Sequence, residues 1–227
     1  MDAPGVTAER RAMSNEPTVG MRALFVGAPR PMLSRRAEAA LGTRHRAVLD
    51  GLESLLRDGE LGRLTIGEIA ARLECSRRTL YELAPSKDHL TLLVVDRVMH
   101  RIGHTAIAAV DPVAEVAVQL RQYVTASIGY VFGSAAFDDL AEIPGARRVT
   151  DVHHRFATTV IERIVAAGID RGEFRAVDAS VAAAMILATA VHLAHPDVLD
   201  DLGLSLEDAL HQMLDLTLTG LLAASGT

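Results

Sequence analysis

Apolar residues in this chain recur at helical spacing, and no segment shows the alternation of a strand. From Arg44 onward Val48, Leu49, Leu52, Leu55 and Leu56 line one face, with Thr43 as the expected N-cap and Gly59 just past the end. A shorter stripe of Ile66, Ile69, Ala70 and Leu73 follows. It is opened by Thr65-Ile66-Gly67-Glu68, a capping box in which the Thr65 hydroxyl accepts a backbone N–H and Glu68 reaches back to the cap. After a tight turn at Glu74 and Cys75, Ser76 caps a third helix through Leu83, which Pro85 prevents from continuing. Two short helices with so brief a link predict a helix-turn-helix. Ser86 then caps a longer helix, from about Lys87 to Val110, striped by Leu90, Leu93, Val94, Arg97, Val98 and Ile102.

Asp111-Pro112 reads as a cap followed by proline at the first helical position, opening a helix to about Phe132. Further helices are expected over Ser134 to Glu142, Ala146 to Ala167, Asp178 to Ala194 and Ser205 to Ala223. The breaks between them carry Gly133, Pro144-Gly145, Gly168 to Gly172, Pro196 and Gly203. Residues 1–33 hold Pro4, Pro17, Pro29 and Pro31 and no sustained period, which predicts a flexible arm. The expected protein is all-α. A three-helix helix-turn-helix domain is expected at 34–86, joined by the long helix to a larger helical domain at 87–227.

Composition narrows the class. With 49% hydrophobic and 23% charged residues, the 227-residue chain can bury a substantial core. Its longest apolar stretch, Val181 to Ala194, falls short of the ~20 residues that a membrane span needs, and the first thirty residues lack the basic and apolar regions of a secretion signal. A cytoplasmic protein with no membrane partner is expected. The single cysteine, Cys75, excludes an internal disulfide and every zinc pattern built on cysteine pairs. The net charge of −6 is unevenly spread: Lys and Arg outnumber Asp and Glu 16 to 13 in residues 1–104 and are outnumbered 7 to 16 in residues 105–227. The basic half is the one with the helix-turn-helix, where a nucleic acid would need it.

In such a unit the second helix lies in the major groove and presents its first residues to base edges. Ser76, Arg77, Arg78 and Thr79 open that helix, and arginine pairs bidentately with guanine. Thr65 and Lys87 stand at helix N-termini, where backbone N–H groups and positive charge favour a phosphate, and Arg44 begins the first helix. Thr65, Ile69-Ala70, Ser76, Thr79-Leu80-Tyr81, Pro85, Ser86-Lys87 and Leu90 together resemble the N-terminal signature of the tetracycline-repressor family over about residues 44–100. That resemblance implies DNA contacts by Thr65, Ser76, Arg77, Arg78, Tyr81 and Lys87, and a repressor released from its operator by a small molecule. The chain departs from the pattern at Glu74, where the family has glycine, and at Leu83 and Ala84, where aromatic or histidine residues are common. These departures leave a second expectation open: a helical interaction or ligand-sensing module that has lost operator binding.

The C-terminal half suits assembly and sensing. The helices near 178–194 and 205–223 are apolar on more than one face, so one face can serve the core and another a second copy of the chain, giving a homodimer. Leu120, Tyr123, Ser127, Tyr130, Phe137, His154 and Thr158 are the candidate effector-binding residues, and with an aromatic content of 4% the pocket would suit a small apolar effector. No GxSxG, phosphate-cradling glycine loop or CxxC is present, so no enzyme and no cofactor is expected. His100 and His104 stand four apart, as metal-ligating histidines can, but without an evident carboxylate partner they are read as packing or solvated side chains and no metal is expected. Cys75 is expected to be a small buried hydrophobe, with a redox switch the less favoured role.

Overall fold

The structure, a computed structural model, describes residues 24–128, 143 and 145–222. Among them stand ten α-helices: α1 Arg35–Ala40, α2 Thr43–Arg57, α3 Ile66–Arg72, α4 Arg77–Leu83, α5 Lys87–Ala108, α6 Val116–Ile128, α7 Ala146–Asp170, α8 Ala179–Leu193, α9 Pro196–Leu202 and α10 Leu206–Leu221. The only extended pairing among the described residues is an isolated bridge between Phe174 and Leu222. No single helix there is long and apolar enough to cross a membrane.

Among the described residues, two apolar cores organise the fold. In the head, Val48, Leu49, Leu52 and Leu56 of α2 close on Ile69 and Ala70 of α3, Leu80 of α4 and Leu90, Val94 and Val98 of α5. In the lobe, Ala106 and Ile107 at the far end of α5 join Leu120, Tyr123 and Val124 of α6, Val160, Ile161 and Ile164 of α7, and Ile186 and Leu214 of α8 and α10. Helix α5 therefore belongs to both bodies, and polar side chains occupy it where one core gives way to the other.

Several helix ends differ from those expected. Gly42, without a side-chain cap bond, precedes α2, and Thr43 is its first residue. The stretch after Asp111 is a turn, in which Asp111 Oδ1 accepts from Val113 N–H at 3.0 Å. Helix α6 starts only at Val116, whose N–H would be an orphan at a helix start and is instead donated to Glu173 Oε2 at 2.9 Å. Helix α7 runs through Gly168, because the bare Cα there admits the buried ring of Phe174, 2.4 Å from where a Cβ would stand. Pro196, expected as a break, opens α9 from its first position. Residues 24–33, expected to belong to the flexible arm, are held down: Leu24 is buried in the lobe core and Arg163 donates to the Val26 carbonyl at 2.8 Å. The helix expected over 134–142 lies outside the described residues.

Candidate nucleic-acid interface

The interface begins with two helix starts. At α3 the Thr65 hydroxyl accepts from Glu68 N–H at 3.3 Å and the Glu68 carboxylate accepts from Thr65 N–H at 2.7 Å, so both halves of the capping box are made. Those bonds, the Thr65 backbone one foremost, hold the Glu68 carboxyl below its usual range. At α4 the Ser76 hydroxyl accepts from Thr79 N–H at 3.1 Å.

The turn between them is a Schellman ending: Cys75 N–H reaches the Ala70 carbonyl and Glu74 N–H the Ala71 carbonyl, at 2.9 and 3.2 Å. Its left-handed position is filled by Glu74, with φ of +49°, the one described non-glycine residue with positive φ. A carboxylate side chain occupies the place where glycine is normally unstrained. Cys75 is half-buried, and burial pushes its thiol up despite the nearby charge of Arg44, which counts against a thiolate redox switch.

Thr79 and Leu80 pin α4 to the head, buried at 6% and 0% exposure, while Arg77, Arg78 and Tyr81 point outward. The Arg77 guanidinium folds back over α3, its Nη2 only 2.7 Å from the position of a Gly67 Cβ. Arg78 donates to Glu82 at 3.0 Å, and the other Glu82 oxygen lies 3.0 Å from His45 Nε2. These partners, Arg78 first, hold the Glu82 carboxyl below its usual range.

The sequence-predicted residues thus separate. Thr65, Ser76, Arg77, Arg78, Tyr81 and Arg44 are exposed around the starts of α2, α3 and α4. Thr79 is buried on the inner side of α4, its hydroxyl 2.9 Å from that of Ser76. Lys87 donates its ammonium to the Gly62 carbonyl, so it braces the loop before α3. Glu82 was not anticipated, although its spacing of four from Arg78 is the signal for such a pair.

Of the candidate effector residues, Leu120 and Tyr123 are core side chains, and burial pushes the Tyr123 phenol up to about 12. Ser127 and Thr158 donate to carbonyls of their own helices, Tyr123 O at 2.7 Å and His154 O at 3.0 Å. His154 is half-buried, and burial pushes its imidazole down. Tyr130 and Phe137 lie outside the described residues. A cavity of about 730 Å³ does open in the lobe, between α8 and α10, and none of the five described candidates, Leu120, Tyr123, Ser127, His154 and Thr158, lines it. Its walls include Val181, Met185 and Leu216, exposed at 57%, 65% and 77%.

No curated protein matches the sequence. Residues 141–212 match the tetracyclin repressor-like C-terminal domain. Among solved structures, a regulatory protein of the tetR family from Rhodococcus RHA1 is similar at 20% identity, with 82% of this chain and 100% of that one covered and a TM-score of 0.61. A transcriptional regulator from Saccharomonospora viridis in complex with choline is 18% identical over 79% and 98%, with a TM-score of 0.65. The SmeT–triclosan complex is 18% identical over 81% and 94%, with a TM-score of 0.64, and SmeT is the repressor of a Stenotrophomonas maltophilia multidrug efflux pump. At such identities the likeness is one of fold, and it extends over the head and the lobe alike. In its matched C-terminal domain and in its fold, the chain is similar to regulators of the tetracycline-repressor family.

Proposed function

We propose that the protein is a homodimeric, sequence-specific DNA-binding regulator that represses transcription and is released from its operator by a small apolar molecule. The observation that carries this reading is the outward face of α4, where Arg77, Arg78 and Tyr81 project beside the exposed N-caps Thr65 and Ser76 while Thr79 and Leu80 hold the helix down. In a two-fold dimer the two α4 helices read half-sites about 34–36 Å apart or a multiple of that spacing, and a ligand that shifts α5 changes the separation. The lobe supports the dimer through the bare apolar faces of α8 and α10. Triclosan and choline, bound by two proteins of this fold, are compatible with a small-molecule effector here.

The test is a footprint on DNA flanking the protein's own gene, repeated with Arg77→Ala and Arg78→Ala. Protection that is sequence-specific, weakens steeply with salt and loses about 10- to 100-fold in affinity per substitution supports the reading. Arg78, already paired with Glu82, is expected to lose the less. The competing reading, a sensing module without an operator, has its own support in Glu74 and in the engagement of Lys87 with Gly62. Uniform, weak binding to all duplexes that neither substitution changes would favour it.

A further inference from the structure

On α5, between the head core and the lobe core, Asp96 and His100 stand one turn apart and face His153 of α7. Asp96 and His153 are buried, at 5% and 7% exposure, in a seam where charged and imidazole side chains are uncommon without a partner. Asp96 Oδ1 lies 3.2 Å from His153 Nε2 and 3.6 Å from His100 Nε2, and the three atoms all fall within 4.8 Å of one another. The two imidazole rings meet edge to face, with centroids 4.7 Å apart. The His100 Nε2 is buried and has no hydrogen-bond partner.

We propose that Asp96, His100 and His153 form a binding site for one divalent transition metal of the zinc, cobalt and nickel class. Metal–ligand bonds of about 2.0–2.1 Å in a tetrahedron require donor atoms about 3.3–3.4 Å apart, close to the two separations from Asp96. Two imidazoles and one carboxylate suit such ions, whereas calcium and magnesium take all-oxygen shells. For two of the three ligands the outer atom is already committed in the way metal sites require. Asp96 Oδ2 accepts from Met32 N–H at 2.8 Å, and the His100 ring bonds to the backbone of Arg30, a bond that falls to Nδ1 because Nε2 has no partner. Three protein donors leave a fourth position. A cavity of about 20 Å³ beside His100 and His153, also bordered by His104, has room for one water as that ligand.

An ion there would join three segments: residues 30–32, α5 and α7. It would fasten the head's exit helix to the lobe, so the folded chain would gain thermal stability on loading. His104, the nearer partner of His100 by sequence, is instead engaged by Arg35 at 2.8 Å.

The test uses the full chain stripped with a chelator and then titrated with Co²⁺, followed by Zn²⁺ in competition. One Co²⁺ per chain with the intense visible absorption of a tetrahedral site, displaced by Zn²⁺ and accompanied by a raised Tm, is expected. His100→Gln and Asp96→Asn, which keeps an acceptor for Met32, should each weaken binding at least ~100-fold, while His211→Gln on the surface changes nothing. Zn²⁺ titration followed by NMR reads the wild-type protein without any variant and should perturb the imidazole signals of His100 and His153 first. No bound Co²⁺, binding indifferent to the two substitutions, or perturbation confined to exposed histidines would each overturn the proposal.

Discussion

Glu74 shows how one side chain can strain a tight turn. A non-glycine residue in the left-handed region costs about 1 kcal/mol, and Glu74 sits there with both Schellman bonds made around it. Glu74→Gly is therefore expected to raise the unfolding free energy by about 1 kcal/mol in urea and, by removing a negative charge beside α4, to tighten DNA binding. An unchanged urea midpoint would mean that the turn carries no strain. Glu68 gives the residue scale a pH dependence. Its carboxyl is held below 4.5 in the fold, mainly by the Thr65 backbone N–H, so its contribution to stability is present above that value and lost as pH falls through the lowered one. NMR titration of the Glu68 carboxyl should give a midpoint below 4.5 in the native protein, and a midpoint at 4.5 would deny the capping box its energetic role. Both features were legible beforehand, since a capping box and a replaced glycine depend only on neighbours in sequence. The fate of Lys87 was not, because its acceptor is a backbone carbonyl 25 positions away that no side-chain pattern announces.

At the scale of elements, the long helix α5 is tied to α1 and α2 by charge. Arg97 Nε lies 2.7 Å from Glu38, its Nη2 2.9 Å from Asp50 and its Nη1 3.0 Å from Glu53, while Arg101 reaches Glu53 at 2.8 Å. Glu53 is 4% exposed, and burial outweighs its arginine partners enough to push its carboxyl above the usual range. Such a pair is costly to break and cheap to replace. Arg97→Met alone is expected to cost about 3–5 kcal/mol, whereas Arg97→Met with Glu53→Leu should recover most of that loss in thermal unfolding. Additive losses would show that the ions do not act as a unit. Sequence periodicity placed α2, α3, α4 and α5 closely because their stripes face a single core. It misplaced the start of α6, which Glu173 decides from 57 positions away, and it stopped α7 at a glycine whose role is to admit Phe174. The Asp96–His100 spacing was present in the sequence too, but His153, which turns the pair into a cluster, becomes its neighbour only through the packing of α5 on α7.

At the scale of the molecule, a head and a lobe share one helix, and the lobe leaves an apolar face exposed among the described residues. Val181, Met185 and Leu216 are more than half exposed along the walls of the 730 Å³ cleft between α8 and α10, a face that water penalises in a monomer. Sequence reasoning could point to these helices because they are apolar on more than one side, but only the packed lobe separates the side chains that serve its own core, such as Ile186 and Leu214, from those left outward. A two-fold contact would bury the outward set twice over, at ~1.5–3 kcal/mol for each large side chain fully removed from water. Leu216→Asp places two carboxylates in that contact per dimer while disturbing no core residue, Leu216 being 77% exposed. Sedimentation equilibrium at micromolar concentration should find the wild type dimeric and this variant monomeric, with the far-UV circular dichroism unchanged. Operator affinity should fall by at least ~100-fold, since a monomer addresses one half-site and forfeits the second. A wild-type monomer, or a monomeric variant that still binds with full affinity, would separate the N-terminal head from any need for a partner and would leave the apolar cleft to some other occupant.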